Sequence, residues 1–176
     1  MPDYFIEIGG TAFFGRGVGG RQLSGTGEYE RGLLIRKALE DIGDEVRKEA
    51  RRRAGKRSGA LVERGIDETR VTKLRPSTWE LRVGLRRHPR HGIWHHEGTG
   101  IYGAHRTPIF PARPGGVLRF VKPSGEVVYA RWVRGQKPNP FMREAIMVVG
   151  STYVPARLRM LSAELDRKFF FIPRVF

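Results

Sequence analysis

Hydrophobic and polar positions alternate with different periods along this chain. From Tyr29 to Arg53, Leu34, Ile35, Ala38, Leu39, Ile42, Val46 and Ala50 recur at three- and four-residue spacing, with Arg36, Lys37, Glu40, Asp44, Glu45 and Lys48 between them. That period predicts an amphipathic helix with one buried face. Arg51, Arg52 and Arg53 fill its last turn, where the helix dipole favours cations, and Gly55 is placed to end it. Trp79, Leu81, Val83 and Leu85 alternate with Glu80, Arg82, Gly84 and Arg86, which predicts a strand with one dry face and one wet face. Runs 117–122 and 126–134, joined by Pro123-Ser124-Gly125, predict a hairpin with Val128 and Trp132 on one face and Val127, Tyr129 and Val133 on the other.

After the hairpin comes RGQKPNPFMREA, residues 134–145. Gly135 permits a sharp turn, Asn139 suits a helix N-cap, and Pro140 suits a first helical position. Phe141, Ala145, Val148 and Val149 would give the helix that follows its buried face. Gly150 and Pro155 are expected to weaken or kink it before a last segment with Leu158, Leu161 and Leu165 in register. Near the N-terminus Tyr4 to Ile8 reads as a short strand. The eight glycines of 9–27 then read as a loop, with no Gly-Lys-Ser/Thr to make a P-loop of it. Residues 56–76 read as a basic connector, and 87–116 as an irregular stretch. Together these predict an α+β fold: a long N-terminal helix packed on a small, mostly antiparallel sheet, a β-hairpin and a C-terminal helix. The expected division is 1–28 (strand and Gly-rich loop), 29–170 (one α+β domain) and 171–176 (apolar tail).

Composition narrows the functional classes. The absence of cysteine excludes disulfides and thiolate chemistry, and no apolar run reaches the length of a bilayer span, so no membrane partner is expected. No secretory leader is expected at MPDYFIEIGG. Net charge is +15, placed mostly within 55–138, and such a field attracts nucleic acid or acidic protein surfaces. RRRAGKR at 51–57 and the arginines at 82–90 could form a basic face, but no helix-turn-helix, zinc-finger or RNP pattern accompanies them.

His88, His91, His95, His96, His105 and Glu97 invite a metallonuclease reading. Against it, the order His95-His96-Glu97-Gly98 is not HExxH, Pro89 and Gly92 argue against a helix that would bring His91 and His95 together, and Glu97 is the sole acid between Glu80 and Glu126. No serine sits in a Gly-x-Ser-x-Gly elbow. No catalytic residue, metal or cofactor is therefore expected.

Four stretches, in order, resemble the small tail-component proteins of long-tailed, non-contractile bacteriophages, the head–tail connector, neck or tail-completion group. They are Ser58-Gly59-Ala60-Leu61, His96-Glu97-Gly98-Thr99, Thr107-Pro108-Ile109-Phe110-Pro111-Ala112, and Gly135-Gln136-Lys137-Pro138-Asn139-Pro140-Phe141-Met142. The resemblance spans roughly 29–170. It makes Gly59, Leu61, Glu97, Gly98, Thr99, Pro108, Pro111, Gly135, Pro138, Pro140 and Phe141 motif residues with structural roles. The long Gly-rich segment, Pro155 and the final FFFIPRVF depart from the family pattern.

The resemblance implies a structural virion protein of the neck or tail, assembled in the host cytoplasm. It would form a homo-oligomeric ring against neighbouring neck and tail proteins, with non-specific contact to passing DNA, and would not be an enzyme. Interface candidates are Phe13 and Phe14, Ile101 and Tyr102, Ile109 and Phe110, and the terminal Phe169, Phe170, Phe171, Ile172, Val175 and Phe176. That terminal cluster is expected to dock on the sheet or on an adjoining subunit.

Overall fold

The computed structural model describes residues 5–7, 25–54, 66, 68–75, 78–85, 91–122 and 124–170. The period-3.6 segment is helix α1, Gly25–Arg53, which begins four residues before Tyr29. It buries Ile35, Ala38, Ile42, Val46 and Ala50, and the chain stays buried at Ala54 just beyond it. These positions form one stripe, and the small alanines let a neighbouring helix approach closely.

That neighbour is α3, Phe141–Leu165. The two helices are antiparallel. Val46, Ala50 and Ala54 pack with Phe141, Met142, Ala145 and Val149, while Ile35 and Ala38 pack with Leu161 and Leu165. Three ion pairs follow the same order along the seam: Arg53 with Glu144 at 2.9 Å, Asp41 with Arg157 at 2.9 Å, and Glu30 with Lys168 at 3.2 Å.

α3 runs through Gly150 and Pro155, so the two segments expected on either side of the proline belong to one helix. A proline inside a helix removes one backbone donor. Here both halves of the helix are anchored on α1, by Phe141 to Val149 before the proline and by Arg157, Leu161 and Leu165 after it. Pro155 and Ser151, four residues earlier, are exposed, so water can satisfy the carbonyl that lost its partner. After α3 a π-helical turn, Asp166–Phe170, carries Phe169 back onto the Ile35, Ala38, Leu161 and Leu165 cluster.

The same buried stripe of α1 also meets an antiparallel sheet of β1 (Phe5–Glu7), β2 (Glu68–Arg75) and β3 (Thr78–Gly84), in the order β1-β3-β2. Leu81 and Val83 point into the core from the central strand, as alternation requires. The opposite face is not simply wet. Glu80 is buried there and accepts a 2.8 Å hydrogen bond from Arg82.

β2 lies in the stretch read as a connector. Its sequence, ETRVTKLR, has little apolar alternation because it is an edge strand, and its pairing with β3 supplies what its side chains do not signal. The remaining elements are α2 (His91–Glu97), a 3-10 turn (Gly100–Tyr102), and the hairpin of β4 (Leu118–Val121) and β5 (Val127–Ala130). The architecture is thus α+β, with a long N-terminal helix on a small antiparallel sheet, a hairpin and a C-terminal helix.

Candidate functional site

Two motif stretches that are far apart in sequence are held against each other. Thr99 N–H donates to the Gln136 carbonyl at 2.9 Å and Ile101 N–H to the Arg134 carbonyl at 2.8 Å. Gln136 N–H returns a bond to Thr99 Oγ1 at 2.9 Å. Gly100 and Gly135 sit where the two segments cross, with φ of +64° and +93°. A Cβ on Gly135 would fall 2.1 Å from the Thr99 carbonyl oxygen, and one on Gly100 2.2 Å from that of Arg134. Both positions therefore need glycine for backbone conformation and for space. Gly-Thr-Gly at 98–100 and Gly-Gln-Lys-Pro-Asn-Pro at 135–140 form one clasp.

The clasp is bolted to the body. α2 places His95 and His96 on the Phe141 ring, at centroid distances of 5.9 and 5.5 Å. Asn139 N–H donates to the His95 carbonyl at 2.9 Å. The Asn139 amide also reaches His95 Nε2 at 3.2 Å and the Arg53 carbonyl at 3.4 Å, and so supplies a partner at the C-terminal end of α1. The Gln136 amide contacts His95 Nδ1. A neutral imidazole donates from one nitrogen and accepts at the other, so one of these two amides faces it with its oxygen.

Asn139 is therefore not the N-cap that its position suggested. Pro140 is the capping residue of α3, with no side-chain cap bond, and Phe141 begins the helix. The Asn139 side chain is held by His95 and by the end of α1 instead.

The helix at 91–97 is a second departure from expectation. Gly92 is buried, and the two histidines lie against Phe141, so tertiary contact holds a short turn that local propensity disfavours. His95 and His96 are thereby used in packing. Glu97 is exposed, His105 lies on the exposed segment beyond the clasp, and no group of three His, Cys, Asp or Glu able to hold a metal occurs among the described residues.

Burial lowers the pKa of His96 below the ordinary 6.5 of imidazole, and the neighbouring His95 and Arg143 lower it further. The folded chain then binds fewer protons at this group than the unfolded chain does. Stability from the junction is full above about pH 6.5 and falls as pH drops below it toward the folded pKa. Urea midpoints compared at about pH 7.5 and about pH 5.5 should show this loss, and His96→Asn should flatten that part of the profile. An unchanged slope in the variant would assign the effect to other groups.

A second electrostatic tie lies behind the clasp. Arg52, helped by Arg53, holds the Glu49 carboxyl down to about 2. Arg53 links Glu49 to Glu144 and so joins α1 to the first turn of α3.

Beyond the clasp the chain forms an arm. No described residue of 99–140 is buried. At its root Ile109 and Val133 bridge through bonds of 2.9 and 3.0 Å. β4 and β5 pair Leu118 with Ala130, Arg119 with Tyr129, Phe120 with Val128, and Val121 with Val127. One face thus carries Leu118, Phe120, Val128 and Ala130; the other carries Val121, Val127 and Tyr129 beside Arg119. Eight of the fifteen exposed large hydrophobic side chains among the described residues lie within 109–132, so the uncovered apolar surface is concentrated on the arm. Tyr129 is 62% exposed, Phe110 61% and Trp132 50%. Residues 98–140 also carry seven lysines and arginines against a single acid, Glu126.

The interface and motif residues singled out above fall in different parts of the molecule. Ile109 and Phe110 are exposed on the arm, while Ile101 and Tyr102 are half-buried near its base, with Lys137 Nζ 5.9 Å from the Tyr102 ring centroid. Phe169, an interface candidate, is partly buried against the α1–α3 core. Among the motif residues, Gly98 is buried within the clasp, Pro108 and Pro111 are half-buried on the arm, Pro138 is exposed, and Phe141 is fully buried. Phe13, Phe14, Gly59, Leu61, Phe171, Ile172, Val175, Phe176 and the side chain of Phe170 lie outside the described residues.

Sequence reasoning did not single out Val117, Phe120, Val121, Val127, Tyr129 and Trp132 as interface residues. Their signal was present in two strands that are apolar on both faces, within a stretch whose neighbours are too polar to cover them. Comparison with family models, with curated proteins and with solved structures finds no match. No described helix is long and apolar enough to cross a membrane.

Proposed function

We propose that the protein is a structural virion subunit of a phage neck, joining head to tail or completing the tail. In this reading it acts by ring assembly and protein–protein contact and transforms no substrate. The observation that carries the reading is the arm: a two-stranded hairpin with exposed apolar side chains on both faces, rooted on a rigid clasp. A two-stranded hairpin is marginal in water, and an apolar patch of this kind gains free energy when another protein covers it. The cations around it suit an acidic rim on that neighbour. Two of the four motifs quoted for the family resemblance, at 96–99 and 135–142, supply the clasp, which gives them a mechanical role.

The test is Val127→Asp with Tyr129→Asp. Both side chains are exposed, so the lone subunit should keep its melting temperature, with a change in stability within about 0.5 kcal/mol per site. Particles complemented with the variant should accumulate unjoined heads and tails, whereas wild-type yield of joined particles would overturn the reading. A nucleic-acid module is the second reading, favoured by the seven cations of the clasp and arm together. Steeply salt-dependent DNA binding by the monomer, with joining unaffected in the arm variant, would establish it instead.

A further inference from the structure

The α1–α3 seam opens into a cleft on the side away from the arm's root. Its volume is about 400 Å³, and its walls are Leu34 and Lys37 of α1 with Arg157, Glu164, Arg167 and Lys168 from α3 and the turn after it. Four cations and one acid line it. That size suits a small anion with attached groups, since ligand sites begin at roughly 300 Å³.

Arg157 distinguishes this cleft from an ordinary basic surface. It is 7% exposed, and its Nε donates to Asp41 Oδ2 at 2.9 Å, while its buried Nη1 has no hydrogen-bond partner among the described residues. A buried guanidinium N–H without an acceptor is unfavourable, and an oxyanion entering the cleft would supply one after a small side-chain adjustment. Lys37 and Arg167 are exposed and form no ion pair among the described residues, and Lys168 is shared with Glu30. With Glu164, Asp41 and Glu30 set against the four cations, one positive charge remains unmatched. The balance suits a monoanion rather than a dianion. A phosphodiester carries one charge and two free oxygens for the cations, and Leu34 offers an apolar wall to an attached sugar.

We propose that this cleft binds a phosphodiester group, from a nucleic-acid backbone or from a free dinucleotide. It uses none of the arm's residues and stands whether or not the arm serves a virion neck.

The experiment follows the Arg157 Nε–Hε signal and the amides of Arg167 and Lys168 in the full chain by NMR, titrating thymidine dinucleotide, a short DNA duplex and, as a control, acetate. The expected result is saturable movement of these signals with the dinucleotide, and weaker or no movement with acetate. Duplex binding tighter than that of the dinucleotide assigns the source to a nucleic-acid backbone, and the reverse order to a free nucleotide. Lys37→Gln with Arg167→Gln should weaken binding about tenfold or more while leaving the fold intact, because both side chains are exposed. Arg157→Lys should abolish it, and if that variant does not fold the double variant carries the test. Val127→Asp with Tyr129→Asp on the arm should leave the affinity unchanged. Signals that stay still with both phosphodiesters, acetate binding as tightly as the dinucleotide, or wild-type affinity in the double variant would each overturn the proposal.

Discussion

Replacing Phe141 with alanine is expected to cost about 3–5 kcal/mol, the largest loss foreseen from a single side chain in this protein. Phe141 is fully buried and belongs to the core cluster that includes Val46, Ala50, Ala54, Leu81 and Val83. Its ring also receives His95 and His96 from α2. Truncation removes packing from the α1–α3 seam, from the sheet and from the helix that seats the clasp, and a rigid seam cannot collapse fully into the space. The melting temperature should fall by about 10 °C or more, and hydrogen exchange at the Gly98 and Asn139 amides should speed up before global unfolding. Phe141→Leu should recover part of the loss. A Phe141→Ala protein melting within a degree or two of wild type would contradict the central place given to this ring.

Gly135→Ala is expected to have the second largest effect, with a different signature. The new Cβ would meet the Thr99 carbonyl oxygen at 2.1 Å, on a residue whose φ is +93°. The atoms that the Cβ meets are all backbone, so no flexible side chain can yield. The clasp must open, which strains the new residue and breaks the bonds from Thr99 to Gln136 and from Ile101 to Arg134. The sum is about 3 kcal/mol or more. Because the α1–α3 core is untouched, the loss should be local. The Thr99 and Ile101 amides should exchange quickly while those of Ile42 and Val46 stay protected. Gly125→Ala is the comparison: Gly125 also has positive φ, +85°, but nothing lies near a Cβ there, so only the conformational cost applies. Equal effects at the two positions would show that the clasp contact itself contributes nothing.

These two positions explain what a motif such as Gly-x-x-Pro-x-Pro-Phe does here. The glycine allows the crossing, the prolines stiffen the path, Asn139 ties the path to His95 and Arg53, and the phenylalanine anchors the end in the core. The chain thereby turns a marginal hairpin into an arm with a fixed root.

How much of this was legible in the residues depended on whether the signal was local. The stripe from Ile35 to Ala50 has to be a helix, because only that period brings those side chains together, and the Trp79 to Val83 alternation has to be a strand for the same reason. Pro123-Ser124-Gly125 between two β-rich runs likewise announced the hairpin, and the spacing of Phe141, Ala145 and Val149 and of Leu161 and Leu165 announced the buried positions of α3, whereas Val148, expected on that face, is exposed.

What only the tertiary structure decided rests on partners distant in the chain. β2 exists because β3 offers it a ladder, and α2 because Phe141 offers a surface to His95 and His96. Asn139 leaves its expected capping role because Arg53 and His95, far away in sequence, compete for its amide. Arg157 reads as one cation among many until Asp41 and the α1–α3 seam bury it. The exposure of Tyr129, Val127 and Trp132 is of the same kind: local pattern records that a side chain is apolar, and the arrangement of the whole chain decides whether anything covers it.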